Sequence, residues 1–251
     1  MDAIIAYAWV GALLFSRIGA VLMLAPGWGE SAVPVRFRLV AALLSTAVLG
    51  PTLISQLPEI PGTTGMALVF VISEVLIGLM IGGVARIMMS ALQVAGQIMG
   101  MQSGLGFAQQ MDPSIGQSSA ILSVFLSMSA IVLIFATGIH RLMLEAAAES
   151  YQIFRPGETL SVGDASQWAI SAISASFRIG LQMAAPIVVF AMVFNLALGL
   201  VSRLIPQVQI YFIAMPSQIM IGLSILAFVL GGGLLIWLEA LERVARLQSP
   251  L

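Results

Sequence analysis

Apolar residues occur in long runs along this chain, and short breaks rich in proline and glycine separate the runs. A helix needs about 20 consecutive apolar residues to cross the hydrocarbon core of a membrane. Six runs are long enough, and they cover roughly residues 3–25, 38–57, 66–90, 120–143, 166–203 and 217–238. The breaks between them contain the prolines Pro26, Pro34, Pro58, Pro61, Pro156, Pro206 and Pro216. This pattern predicts an all-α, polytopic integral membrane protein of about six long apolar helices in helical hairpins.

Two of the predicted helices are longer than a bilayer requires. No proline interrupts the pattern from Met66 to about Ser103, and only Pro186 interrupts it from Ser166 to Ile205. At 1.5 Å per residue these helices would be about 57 and 60 Å long, against a hydrocarbon core of about 30 Å. Each is either a span followed by an interfacial helix, or a helix that stands partly outside the lipid within a protein assembly.

Glycines recur at every fourth position on the first of these long helices. Gly78 and Gly82 form one GxxxG unit, and Gly96, Gly100 and Gly104 form two more. Glycines in this register leave a groove along one helix face, where a second backbone can approach closely. We expect helix packing at these positions, and the alternative is simple backbone flexibility.

A polar stretch follows that helix. Residues 100–119 read GMQSGLGFAQQMDPSIGQSS, and Asp112 is the one charged residue among them. Gly106, Gly116 and the Asp112–Pro113 pair disfavour helix, so residues 105–118 are predicted to be non-helical. Non-helical backbone at membrane depth is tolerated only where it is buried in protein or lines a water-filled cavity. The loop therefore either lines or blocks a conduit, or lies outside the membrane as an ordinary connection.

The composition agrees with a membrane protein and argues against several other classes. Of 251 residues, 60% are hydrophobic and 8% are charged, and the mean hydropathy is +1.07. A soluble domain carries roughly 25% charged residues. A net charge of −1, with no lysine, argues against nucleic acid as a partner. With no cysteine, one histidine and no recognisable catalytic motif, the chain is predicted not to be an enzyme and to need no cofactor or metal.

Three charged residues, Arg17, Glu74 and Arg178, lie well inside the apolar runs. Facing lipid, they would together cost on the order of 9 kcal/mol, so we expect them to face protein or water. One interpretation is structural ion pairs, within the chain or with partner subunits. The other is a proton or ion relay, which is less favoured because no ladder of histidines or carboxylates accompanies them.

Four stretches of the sequence resemble the FliR family of flagellar biosynthetic proteins and its virulence type III secretion counterparts. They are SRIGAVLMLAPGWGESAVPVRFRLVAALL from Ser16, SEVLIGLMIGGVARIMMSALQVAGQIMGMQSGLGFAQQMDPSIGQ from Ser73, FNLALGLVSRLIPQVQIYFIAMP from Phe194, and the segment with Gly222 and Gly231–Gly233. The third stretch carries the family motif residues Asn195, Arg203, Pro206 and Gln207. Family members typically have Asn where this chain has Gln209, which puts in doubt any hydrogen bond specific to that Asn.

The resemblance implies an all-helical export-gate subunit that forms a single membrane domain over residues 1–251. Its implied location is the bacterial inner membrane, in the flagellar basal body. The implied partners are FliP-like and FliQ-like subunits in a helical cone, an FlhB-like subunit, unfolded exported proteins and membrane lipid. It also implies that the polar loop plugs the conduit through which unfolded proteins pass. That plug would comprise Gly104, Gly106, Phe107, Gln109, Gln110, Met111, Asp112, Pro113, Gly116 and Gln117.

The end of the chain, residues 239–251, is predicted to be a solvated helix end. Glu239 and Glu242 are each followed by an arginine four residues later, Arg243 and Arg246, a spacing that favours ion pairs on a helix.

Three other functions remain open at the level of sequence. The chain could be a gate subunit of a virulence type III system, a small-solute or ion carrier, or a scaffold without a conduit. A carrier would need a defined site near the midplane, for which the three charged residues would be the candidates.

Overall fold

The computed structural model of the protein describes residues 2–54, 57–104, 121–156, 162–205 and 210–246. All regular elements within these ranges are helices. Seven are long: α1 Asp2–Leu24, α2 Val35–Leu53, α3 Thr64–Gln102, α4 Ile121–Thr137, α5 Ile139–Ile153, α6 Val162–Leu204 and α7 Ile210–Ala245. The predicted all-α fold class is confirmed.

The number and lengths of the apolar helices also agree with the sequence. Helices α1, α2, α3, α6 and α7 are each long and apolar enough to cross a membrane, and the pair α4–α5 makes a sixth span if it is counted as one. The two overlong helices are continuous, since α3 has 39 residues and α6 has 43. Pro186 lies inside α6 without ending it.

The fourth apolar run differs from its prediction. It was expected to continue to residue 143, but α4 ends at Thr137 and the chain turns by 71° into α5. Gly138 makes this turn with a φ of +81°, a left-handed conformation that only glycine adopts without a steric cost. Helix α5 is amphipathic: Met143 and Tyr151 are buried, whereas residues 141, 145 and 149, all charged, are exposed.

The expected break at Pro216 is wrong, because α7 begins at Ile210 and runs through that proline. A proline within a helix removes one hydrogen-bond donor and crowds the preceding turn. In membrane helices neighbouring groups and small local adjustments can satisfy the freed backbone carbonyl. Pro216 is only the seventh residue of a 36-residue helix, so most of the helix lies beyond the disturbance.

The described residues group into two compact units. Unit 1 takes residues 1–88, 133–173 and 240–251, and unit 2 takes residues 89–132 and 174–239. That residues 1–251 act as one domain stays a prediction.

The core of unit 1 is built on one face of α1. Residues Leu13, Leu14, Ile18 and Leu22 are completely buried, in the spacing of a helix face. Polar Arg17 lies in the middle of this face and is equally buried.

The last turns of α7 belong to unit 1 and are amphipathic. Leu241 and Val244 are buried, whereas Glu242 and Arg246 form an outer ion pair at 2.8 Å. The described part of the helix end that was expected to be solvated, residues 239–246, is thus exposed on one side, and its solvation stays a prediction.

Candidate functional site

The first site lies in unit 1, where Arg17 of α1 meets Glu74 of α3. Arg17 Nε donates a hydrogen bond to Glu74 Oε2 at 2.6 Å, and Nη2 donates to Oε1 at 2.9 Å. Both side chains are buried, with exposures of 0% and 1%. This bidentate arrangement matches the planar guanidinium to the planar carboxylate and is the strongest geometry for such a pair.

The remaining donors of Arg17 are directed to the end of α5. Nη1 donates to Ser150 Oγ at 3.1 Å, and Nη2 donates to the carbonyl oxygen of Phe154, also at 3.1 Å. The ring of Tyr151 lies under the guanidinium, with its centroid 3.8 Å from Cζ. One buried side chain therefore joins three helices of unit 1.

The Tyr151 hydroxyl differs from the polar groups around it, because it lacks a hydrogen bond among the described residues. It is buried and has no hydrogen bond of normal geometry within the described part of the chain, although the Glu74 carboxylate is near enough to act on it electrostatically. The cluster thus holds one carboxylate and one guanidinium, and arginine does not release its proton in proteins. This cluster is therefore better suited to holding the three helices together than to transferring protons.

Glycines let α3 come close enough to α1 for this pair to form. A methyl group at Gly78 would overlap the carbonyl oxygen of Arg17 and lie 2.7 Å from Ala20 Cβ. One at Gly82 would lie 2.8 Å from the carbonyl oxygen of Val21. Glu74, Gly78 and Gly82 follow one another at four-residue spacing, so the close backbone contact and the ion pair lie along one face of α3.

The second site lies in unit 2, along the last turns of α3. A methyl group at Gly96 would overlap the backbone of Ser123 near the start of α4 and lie 2.7 Å from its Oγ. Ser123 Oγ in turn donates to the carbonyl oxygen of Gln93 at 3.0 Å. Gly100 is buried one turn later. Helices α3 and α4, which the polar stretch links in sequence, are thus in backbone contact.

Helix α3 ends against α7. Gly104, the first residue of the predicted plug, has a φ of +81°, which ends the helix in the left-handed region. Gln218 of α7 donates from Nε2 to the carbonyl oxygen of Gln102 at 3.0 Å. A methyl group at Gly222, one turn further along α7, would lie 2.9 Å from Ser103 Cβ. The root of the predicted plug is therefore held by side-chain and backbone contacts to α7.

The structure brings some predicted residues together and leaves others apart. Arg17 pairs with Glu74, whereas Arg178 is exposed on α6 and forms no ion pair among the residues described in unit 2. The motif residues Asn195 and Arg203 are exposed on the same helix. Outside the described residues lie the predicted plug residues from Gly106 onwards, namely Gly106, Phe107, Gln109, Gln110, Met111, Asp112, Pro113, Gly116 and Gln117, together with Pro206, Gln207 and Gln209.

Sequence reasoning missed several contact residues. Ser150 and Tyr151 follow three charges spaced by four on α5, and that amphipathic spacing could have shown which face of this helix is buried. Nothing in the sequence marks Gln218 or Ser123, because single polar residues in apolar helices are common and their partners lie on other helices.

Comparison with known proteins decides the family. The sequence profile of the family described as bacterial export proteins, family 1, matches residues 8–244. The chain belongs to this family. The match includes every residue of both sites described above, and it confirms the resemblance to FliR proteins.

Proteins with similar sequences include flagellar biosynthetic proteins and a translocation protein. The chain is 45% identical over 231 residues to the flagellar biosynthetic protein FliR of Caulobacter vibrioides, which covers 92% of each chain. It is 31% identical to FliR of Aquifex aeolicus, over 90% of this chain and 88% of that one. It is 28% identical over 148 residues to the Yop proteins translocation protein T of Yersinia pestis, a match that covers 58% of this chain and 56% of that one. The chain is thus a bacterial export protein whose long apolar helices support a membrane location.

Proposed function

We propose that this protein is a non-enzymatic subunit of the flagellar type III export gate, located in the inner membrane within the flagellar basal body. It forms and plugs the conduit through which unfolded flagellar proteins cross that membrane. The observation that carries the flagellar assignment is the 45% identity to a flagellar biosynthetic protein over 92% of both chains.

The plug assignment rests on where the predicted plug begins and on what it contains. Its first residue, Gly104, is buried where α3 ends against α7. Beyond it, Phe107 and Met111 supply apolar bulk, and a hydrophobic constriction can close a pore by dewetting. Methionine also adapts its shape to varied neighbours. Glutamines and serines in the same stretch offer hydrogen bonds that a passing chain or water can replace.

The partner assignment is supported by the surface of the described helices. Arg178 is exposed on an apolar helix, where contact with hydrocarbon would cost about 3 kcal/mol. Val48 of α2 and Phe228 of α7 are 74% and 90% exposed. We infer that other subunits, FliP-like, FliQ-like and FlhB-like, cover part of this surface within a helical cone and that lipid covers the rest. Unfolded exported proteins are the substrate, and nucleic acid is not a partner.

Removing the plug tests the conduit directly. Deleting Gln109–Gln117 from the complete gate complex should raise the ion conductance of planar bilayers that contain it. Replacing both Phe107 and Met111 with serine should raise conductance too, whereas replacing both with leucine, which keeps apolar bulk, should not. Conductance unchanged from the wild-type complex, at equal recovery of assembled gates, would leave the loop a simple connector and favour a scaffold without a conduit.

Two other functions make different predictions. A virulence gate is supported by the Yersinia relative, but at lower identity and coverage than the Caulobacter and Aquifex relatives. Restoration of motility in a flagellar gate deletion strain would separate the two systems.

A solute carrier is opposed by the Arg17–Glu74 pair, whose groups are bonded to each other and closed to solvent. Solute uptake by the purified chain alone in vesicles would overturn that argument.

A further inference from the structure

At the end of helix α3, the backbone of the helix does not supply hydrogen-bond partners for all of its last carbonyl oxygens. The last carbonyl oxygens of a helix have no intrahelical partner. Here the amides of Ser103 and Gly104 turn back to the carbonyl oxygens of Met99 and Met101, at 2.9 and 3.4 Å. The carbonyl oxygen of Gln102 accepts instead from the side chain of Gln218, 116 residues further along the chain. Only the NH2 end of the Gln218 amide can make this contact, because a carbonyl oxygen cannot donate.

We propose that Gln218 is a positioning residue for the gate: its hydrogen bond to Gln102 fixes the direction in which the chain leaves α3, and thereby sets how tightly the gate closes. The inference rests on the proposed plug. It concerns Gln102, Ser103, Gly104, Gln218 and Gly222, all of which are described in unit 2.

The hydrogen bond between Gln218 and Gln102 has the properties of a contact that can be broken and replaced during export. Gln218 is half-buried and uncharged, so breaking its bond leaves no buried ion behind. Its acceptor is a backbone carbonyl, and an unfolded polypeptide offers the same amide chemistry at every residue. Substrates of any sequence could therefore replace the contact. Losing one neutral hydrogen bond of this kind shifts a two-state equilibrium by about two- to tenfold.

The backbone next to the Gln218–Gln102 hydrogen bond is closely packed, so the end of α3 has little room to shift relative to α7. Gly104 has a positive φ, and a methyl group there would lie 3.5 Å from the Gln218 side chain. Gly222 lets α7 approach Ser103 so closely that a Cβ atom at position 222 would overlap the Ser103 side chain. Gln218 and Gly222 are one turn apart, so they hold two successive residues of the α3 end from the same face of α7.

Conductance of the complete gate complex in planar bilayers tests the proposal with a matched pair of variants. Gln218→Met keeps the length of the side chain and removes its donor, and it should raise closed-gate conductance about two- to tenfold. Gln97→Met makes the same change at an exposed position of α3 and should leave conductance unchanged. Gly222→Ala disturbs the same junction through Ser103 and should also raise conductance. Only preparations with wild-type recovery of assembled complex are compared.

A second comparison separates this inference from the plug itself. In gates that lack Gln109–Gln117, Gln218→Met should add nothing to the conductance, because the segment that it positions is gone. If the deletion raises conductance and Gln218→Met does not do so in the intact gate, whatever the effect of Gly222→Ala, the positioning role of Gln218 is wrong and the plug stands. If the deletion itself has no effect, the plug proposal fails first. An equal increase from Gln218→Met with and without the deletion would mark Gln218 as a general packing residue and overturn the inference.

Discussion

Arg17 and Glu74, 57 residues apart, face each other through two hydrogen bonds of 2.6 and 2.9 Å, with both side chains closed to solvent. A buried pair of this kind adds little net stability compared with apolar residues of the same size, but removing one partner leaves an uncompensated charge. The pair is therefore a sensitive point of unit 1.

Glu74→Gln should destabilise the protein by about 3–5 kcal/mol, because it leaves the Arg17 guanidinium buried without a counter-charge. Glu242→Gln is the matched control: it breaks the exposed pair with Arg246 and should cost no more than about 1 kcal/mol. Thermal unfolding in mild detergent measures both. Adding Arg17→Met to Glu74→Gln should recover part of the loss. A Glu74→Gln gate that is stable and assembled, yet loses proton-coupled export, would favour the relay instead.

Gly78→Ala should destabilise unit 1 by about 1–3 kcal/mol, because the added methyl group would overlap the Arg17 carbonyl oxygen and push α3 away from α1. Gly83→Ala is made on the same helix, where the nearest atom to the methyl group, Leu24 Cδ1, is 3.8 Å away. That variant should be neutral or stabilised by up to about 1 kcal/mol. Equal unfolding temperatures for the two variants would count against close packing at Gly78.

Gly138→Ala should cost about 1–2 kcal/mol through backbone strain alone, since the residue has a positive φ and its methyl group would meet nothing within 4 Å. Gly19→Ala places a methyl group in equally open space on the regular helix α1 and should not destabilise. The same thermal measurement compares them. A harmless Gly138→Ala would mean that the chain does not need the left-handed turn between α4 and α5.

Arg178→Gln should separate the stability of the chain from its assembly. The side chain is exposed and forms no ion pair within the described ranges, so unfolding of the isolated protein should change by no more than about 0.5 kcal/mol. Recovery of the gate with its partner subunits in mild detergent should fall. Arg17→Gln, in contrast, should lower both quantities. Full recovery of an Arg178→Gln gate would remove the support that this residue gives to a partner-covered surface.

The helices could be predicted from the sequence wherever length and proline decide the outcome. The apolar pattern predicted that α3 and α6 are longer than a bilayer requires, and the structure shows that each is one continuous helix. Pro216 does not end a helix, because one lost hydrogen bond near a helix start is easily compensated. The turn at Gly138 has no signal in the sequence, because a lone glycine in an apolar run is usually helical, and only its φ distinguishes it from Gly19.

The contacts between helices could not be predicted in the same way. Both faces of α1 are apolar, so periodicity does not reveal that Leu13 and Ile18 are buried while Tyr7 is 67% exposed. The cost of a charge in lipid predicted that Arg17 and Glu74 need partners, but not that each is the other's partner. The contact of Gln218 with Gln102 depends on the packing of α7 against α3, which no local pattern encodes.

The turn at Gly138 also separates two kinds of exposed surface. Before it, Phe135 of α4 is 44% exposed and suited to hydrocarbon. After it, three exposed charges, one per turn, line the outer face of α5, and charged side chains are costly in contact with acyl chains. The backbone thus changes direction where the exposed surface changes from apolar to charged. Gly138 therefore separates two outer surfaces that differ in the solvent they suit.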